Sequence, residues 1–274
     1  MNITAADVNK LRQQTGAGMM DCKQALQEAN GNFEEAIDIL RKKGQKVAAK
    51  RSDREASEGL VLAKVSDAGD RAALIMLNCE TDFVAKNEDF GKVASTILDI
   101  ALNSAPADLE GLKQLPFGNG LTIAEKITEE IGKIGEKIEL STYEVVLAGK
   151  VIAYNHPGNK LASVVGFTKA TSDDIAKDVA MQVAAMAPVA VDEAGVPADV
   201  LSKELEIGKE LAIQEGKPAD MAEKIAQGRL KKFIKESTLL SQPFIKDNKL
   251  TIADYLKSSD NDLSVTEFKR AALN

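Results

Sequence analysis

Apolar positions recur along this chain with two periods, and the changes of period mark out its parts. Over residues 3–43 the spacing is helical. Val8 and Leu11 share one side of a segment that Thr4 can cap, with Asp7 three residues on as box partner, and Thr15-Gly16 ends it. A second predicted helix runs from about Met19 to Ala29, turns Leu26 inward and stops at Asn30-Gly31. Asn32 caps a third, with Glu35 at the box position and Phe33, Ile37 and Leu40 on one face at i, i+4 and i+7. Three short helices bury little, so this module needs a neighbour or serves as a docking handle.

From residue 58 the pattern becomes that of strands. GLVLAKV and RAALIMLN flank SDAGD, a hairpin signal, and a helix follows with Phe90, Val93, Ile97 and Ala101 on one face. The same order returns later. GKVIAYN and KLASVVGF flank HPG, and a helix from about Thr171 carries Ile175, Val179, Val183 and Met186 in register. Gly59 and Gly149 open the two units, which read as a duplicated hairpin-then-helix. Between them, LTIAEKITEEIGKIGEKIELSTYEVV predicts a helix, a glycine-broken loop and a long strand. After Pro188, residues 197–215 and 219–236 form two amphipathic helices joined by GKP, with Leu201, Leu205 and Leu211 expected to face Met221, Ile225 and Phe233. A short helix at 251–257 and a last strand or tail, VTEFKRAA, complete the pattern. The predicted class is α+β, with sheets covered by helices on one face. The expected parts are residues 1–54, a three-helix module with a basic linker; 55–145, a first core subdomain; and 146–274, a second core subdomain carrying the helical hairpin 197–236 and the C-terminal tail.

Composition narrows the function. With 44% hydrophobic and 28% charged residues in 274, the chain is that of a folded protein with a sizeable core. A net charge of −7 and a pI near 5.1 speak against a general nucleic-acid binder. Aromatic residues are 4% and Trp is absent, which leaves little for base-stacking platforms. The start, MNITAADVNKLRQQT, lacks the apolar core of a signal peptide, and no run approaches the roughly 18 apolar residues of a membrane span. Cys22 and Cys79 are far apart, with no CxxC and no His at ligand spacing, so neither a disulfide framework nor a zinc site is expected. The chain reads as reduced and cytoplasmic. His156 is the sole histidine, its setting NHPGN looks like a turn, and GxSxG, Walker and GxGxxG patterns are absent. No nucleophile–base pair can be named, no cofactor is implied, and an enzyme is the weakest class. Residues 41–54, RKKGQKVAAKRSDR, hold seven basic side chains and one acid. They fit a phosphate-binding arm or a solvated helical linker, and the acidic whole favours the linker.

Two stretches carry recognition chemistry. In NCETDFVAKNEDF, residues 78–90, Thr81 or Asp82 can cap a helix starting near Phe83. Phe83 then either packs into the nearest core or stands out as a rigid wedge beside an acid, on a loop held at a strand end. In TGAGMMDCKQAL, residues 15–26, the two glycines make a weak phosphate cradle because no GK[ST] follows. Met19 and Met20 are adjacent, and only one easily faces a three-helix core, so they suit either core filling or an adaptable protein contact.

TGAGMMDCKQAL, TDFVAKN and GRLKKFIKESTLLSQPF, in this order, resemble the bacterial elongation factor Ts family, and the likeness covers nearly the whole length. The resemblance implies a ubiquitin-associated-like N-terminal module, a core of two related subdomains and a helical hairpin linked to dimerisation. It implies a guanine nucleotide exchange factor for elongation factor Tu, with no covalent catalysis and no direct nucleic-acid or membrane binding. On this likeness Asp82 and Phe83 match the pair that intrudes near the partner's magnesium and phosphate region, and Asp82 is expected to perturb that ion. His156 matches a histidine that presses on the phosphate side. Ile134 and Gly135 match a core loop that contacts the same partner domain, and Arg12, Met19 and Met20 match the N-terminal docking surface. Residues 197–236 match the hairpin, through which a homodimer is one expectation. The last segment, VTEFKRAALN, differs from the family's usual closing strand, and no site residue is carried over from it. A non-catalytic adaptor, or an RNA-associated protein using the N-terminal module and basic linker, is the alternative.

Overall fold

The computed structural model describes residues 3–273. Helix α1, Ala5–Thr15, starts in the predicted capping box: Thr4 accepts from the Asp7 amide while Asp7 accepts from the Thr4 amide. It ends at Gly16, whose φ of 68° is the left-handed turn that glycine adopts without strain. Helix α2 is Met19–Glu28, and α3, Phe33–Arg51, begins where Asn32 accepts from the Glu34 and Glu35 amides. Val8, Leu11, Cys22, Leu26 and Ala36 close a small core, with Phe33, Ile37 and Leu40 packed at its edge. The basic stretch is no separate segment, because α3 runs unbroken through it to Arg51.

Strands β1, Glu58–Val65, and β2, Arg71–Cys79, follow. A single turn, α4, Asp82–Ala85, leads into α5, Glu88–Ser104, whose Phe90, Val93, Ile97 and Ala101 are buried as their spacing requires. Helix α6, Leu109–Gln114, and a small ribbon of β3, Pro116–Gly118, with β4, Leu121–Thr122, precede α7, Ile123–Ile134. Strand β5, Ile138–Leu147, completes a sheet of order β1-β2-β5.

The second half repeats the theme. Strands β6, Lys150–Asn155, and β7, Leu161–Phe167, pair antiparallel from Lys150–Phe167 to Asn155–Ala162, and α8, Asp173–Met186, covers them. Val179 and Val183 lie inside, whereas Met186, expected in the same register, is largely exposed at the helix end. Helices α9, Ala198–Gln214, and α10, Ala219–Ser237, form the predicted hairpin. The ribbon of β8, Pro243–Phe244, with β9, Asp247–Thr251, then α11, Ile252–Ser259, and β10, Val265–Ala272, end the fold, and β10 joins a sheet of order β10-β7-β6. The α+β class is therefore as expected.

The hairpin seam differs from the expected leucine stripe. Gly208, Ala212, Ala222 and Ala226 are buried there, whereas Leu211 and Met221 are exposed. A Cβ on Gly208 would lie 3.2 Å from the Ala226 Cα, so the helices approach too closely for large side chains between them. Leu211 and Met221 are displaced outward, whereas Leu201 and Leu205 are half-buried.

The chain separates into two compact units: one of residues up to Leu62, Ile75–Glu144 and those from Ala271 onward, the other of Ala63–Leu74 and Val145–Arg270. Within the first, α3 packs on α7 almost backbone to backbone. A Cβ on Gly132 would meet the Gly44 Cα at 2.7 Å, and one on Gly44 would meet the Thr128 carbonyl at 3.0 Å. Glycine at both positions is what lets the three-helix module dock. Among the described residues, no helix is long and apolar enough to cross a membrane.

Candidate functional site

The turn after β2 answers the question raised by Phe83. Thr81 is extended and its side chain accepts from the Val84 amide, so the cap is Thr81 rather than Asp82 and the helix is a single turn. That geometry throws Phe83 outward, with 82% of its surface exposed. The core-packing reading of this ring is overturned. A bulky ring so exposed retains the hydrophobic free energy that burial would release. Asp82 is held by Lys86 one turn on, with Nζ 2.6 Å from Oδ2.

Two carboxylates fix this turn to its surroundings. Glu136 accepts from the Thr81 amide at 3.0 Å through one oxygen and from the Thr81 hydroxyl at 2.7 Å through the other. Glu80 accepts from the Lys137 amide at 2.6 Å and receives both of its oxygens' bonds from Arg51 Nη1 at 2.9 and 3.0 Å, with Arg54 at 3.8 Å. Lys137 in turn donates through Nζ to the Ser52 carbonyl. The end of α3, the end of β2 and the loop after α7 are thereby knotted together. The Lys137 amide, and after it Arg51, hold the Glu80 carboxyl below the ordinary carboxylate range.

Gly135 closes α7 in the left-handed region at φ 82°, its amide bonded to the Ile131 carbonyl at 2.8 Å. This turn reverses the chain so that Glu136 reaches Thr81, and Ile134 is half-buried beside it. Arg12 is exposed on α1. Met19 and Met20 are both exposed, at 54% and 72%, so neither fills the core of the module. The glycines before them are no phosphate cradle: Gly16 ends α1, Gly18 starts α2, and Gly16 abuts the Lys133 side chain. Seven of the eight predicted positions thus belong to one compact unit.

His156, in the other unit, starts a turn in which its carbonyl accepts from Asn159 and Gly158 takes φ 90°, the position where the Pro-Gly of HPGN suits a type II turn. Its Nδ1 lies 2.9 Å from the Tyr154 hydroxyl. It stands at an open pocket of about 450 Å³ lined also by Leu161, Met181, Ile245 and Arg270. Burial pushes the Cys79 thiol up to about 12 and raises that of Cys22, so neither is a nucleophile at neutral pH. Among the described residues no cluster of three His, Cys, Asp or Glu side chains could hold a metal ion.

The sequence reasoning missed Glu80, Glu136 and Arg51. Glu80 and Glu136 each sit one residue from a position that was singled out, but their partners are 29 to 57 residues away, beyond any local pattern.

The chain is similar over its length to known proteins. Residues 80–274 match the family model described as Elongation factor TS. The protein named Elongation factor Ts of Amoebophilus asiaticus is 55% identical over 273 residues, covering 98% of each chain. That of Porphyromonas gingivalis is 51% identical over 274 residues, covering 100% of this chain and 99% of its own. That of Flavobacterium psychrophilum is also 51% identical, covering 99% and 98%. The one-turn helix with its outward ring lies within the matched region, the three-helix module is spanned by these full-length relatives, and the chain belongs to the elongation factor Ts family.

Proposed function

We propose that this protein is a guanine nucleotide exchange factor that speeds GDP release from elongation factor Tu in the cytoplasm. The observation that carries the reading is Phe83, a fully presented ring on a turn locked at both ends. An aromatic wedge of this kind spreads the partner's elements that hold the phosphates and their magnesium ion. The neighbouring Asp82 competes for the water ligands of that ion, which keeps several of them. For this it exchanges Lys86 for a new environment, and an i,i+4 pair at the surface is weak enough to be given up. Met19, Met20 and Arg12 form the docking surface, Ile134 and Gly135 contribute the loop beside the wedge, and His156 adds a second contact from its hairpin. No covalent step is involved. Whatever weakens nucleotide binding through this factor makes nucleotide weaken factor binding by the same free energy.

The basic stretch supports this reading over an RNA-associated one. Arg51 and Arg54 point at Glu80, Lys43 pairs with Asp21, and Arg41 with Asp38, so four of its seven basic side chains meet acids within the fold. The hairpin of α9 and α10, with Leu211, Ile213 and Met221 outward, is the surface through which two copies would associate.

The test is release of a fluorescent GDP analogue from elongation factor Tu, with wild type and Phe83→Ala. Removing a central ring costs about 2 kcal/mol or more, a roughly 30-fold slower release. Equal rates for the two folded proteins would reduce Phe83 to an exposed ring without a task.

A further inference from the structure

We infer that Glu136 and Glu80 are positioning residues for exchange, acting as a crossed pair that presents Phe83 in its working pose before the partner arrives. The inference rests on the proposed role of Phe83 as the wedge. Four observations converge on it. Helix α4 is one turn long, and a helix this short has no stability of its own. None of the residues Asp82–Ala85 is fully buried, and Val84 and Ala85 are only partly covered, so packing contributes little to holding the turn. What does hold it is Thr81, the residue at its start, and Thr81 is bound through both its amide and its hydroxyl by one carboxylate. Because the hydroxyl donates to Glu136, its lone pairs are turned to accept from Val84, so one bond orients the next.

Glu80 supplies the second half. It lies immediately before Thr81 yet faces the residue immediately after Glu136, taking the Lys137 amide. The two acid side chains therefore cross between the same two segments, Glu80-Thr81 and Glu136-Lys137, each binding the backbone of the other segment. Two such bonds in opposite directions stop the segments from sliding or twisting past each other. A single bond would allow rotation. Arg51 clamps Glu80 from α3, its Nη1 bonding both carboxylate oxygens in charge-assisted hydrogen bonds. The energetic consequence is that the wedge is ordered in the free protein, and the cost of ordering it is not added to the barrier for nucleotide release in the complex.

The experiment uses the full chain and measures GDP-analogue release from elongation factor Tu over a range of factor concentrations, which separates the maximal rate from the half-saturating concentration. Glu136→Ala is expected to lower the maximal rate roughly tenfold, as for loss of a partner to two part-buried groups, with the half-saturating concentration changed less than about threefold. Glu136→Gln keeps one acceptor oxygen and should recover most of the loss. The double variant Glu136→Ala with Phe83→Ala should be no slower than Phe83→Ala alone, because the carboxylate works through the ring. Amide exchange at Thr81 and Val84 should quicken in Glu136→Ala while β2 stays protected. If Glu136→Ala does not fold, Thr81→Val removes the hydroxyl alone and should slow release a fewfold.

Normal maximal rates for folded Glu136→Ala, or for Thr81→Val in its place, alongside a slow Phe83→Ala would overturn the inference and leave the wedge standing. So would fully additive losses in the double variant. A Phe83→Ala protein that exchanges normally overturns the wedge itself, and a Glu136→Ala loss would then have some other origin.

Discussion

Phe83 and His156 both stand at the tips of turns, yet the two turns are held by different physics. The His156 turn is local: the His156 amide bonds Leu161, Asn159 bonds back to His156, and one neighbour two residues away, Tyr154, meets the ring. The bonds of the turn itself span no more than six residues, and the one distant tie is at its edge, where the Asn155 side chain exchanges two bonds with the Ala63 backbone. The Phe83 turn is shaped by Glu136 and Lys137, some 55 residues later, and by Arg51, some 30 residues earlier. A local turn is legible from its own sequence and tolerant of changes elsewhere. A turn knotted from three segments is rigid with little packing, at the cost of depending on all three.

The sharpest way to break the comparison is to disturb the strand platform beneath one turn only. Gly59 on β1 has φ 146°, and a Cβ there would fall 2.2 Å from the Leu77 carbonyl, just before Asn78 and the Phe83 turn. Gly59→Ala is expected to cost about 3 kcal/mol in denaturant unfolding, with Thr81 losing amide protection while His156 keeps it. Equal loss at both would mean that the turns share one support.

Acid offers a gentler separation. The folded Glu80 carboxyl titrates below its ordinary value of 4.5, so its contribution is complete above that value and is lost as the pH falls below it, through the folded value. Protonation removes the charge from the bond to the Lys137 amide and from the Arg51 clamp. Protection of the Lys137 amide should therefore decline as the pH falls below 4.5, through the folded value, whereas the backbone-bonded His156 amide should hold. Constant protection at Lys137 once the Glu80 carboxyl is protonated, as followed by NMR, would show that the charge on Glu80 is dispensable for the turn.

The smallest effect is expected from Tyr154→Phe, which removes the hydroxyl facing His156 Nδ1 at a largely exposed site. Stability, followed by denaturant unfolding, should change by no more than about 0.5 kcal/mol. An effect as large as that of Glu136→Ala would erase the distinction between the two turns.

What could be read from the sequence follows the same division. The Thr4–Asp7 box, the Gly16 and Asn30-Gly31 stops, the Asn32 cap and the buried face of α5 each rest on residues within a few positions, and each stands as expected. Thr81 was one of two candidate caps for the same reason. The unread features need distance. The helical character of 41–54 is legible as a linker, but its docking is not, because these residues meet α7 through Gly44 rather than through a large apolar side chain. The hairpin seam was misassigned because the eye follows leucines, whereas a two-helix contact this close is made by glycine and alanine. At the candidate site, the exposed residues were visible as odd choices: a Phe among acids and two adjacent methionines. The carboxylates that hold the turn were not, since a surface acid looks the same whether it is solvated or tied.

Helix α3 acts in this fold as a ruler. Its 19 residues span about 28 Å, with the docking module at one end, the Gly44 contact partway along and Arg51 on Glu80 at the other. Position along such a rod is inseparable from phase about it. One residue inserted between Gly44 and Arg51 would swing the guanidinium by about 100°, away from its carboxylate, while every residue of the module and of the Phe83 turn remained in place in the sequence. The length of a basic stretch with no recognisable motif therefore sets the angle between the three-helix module and the Phe83 turn.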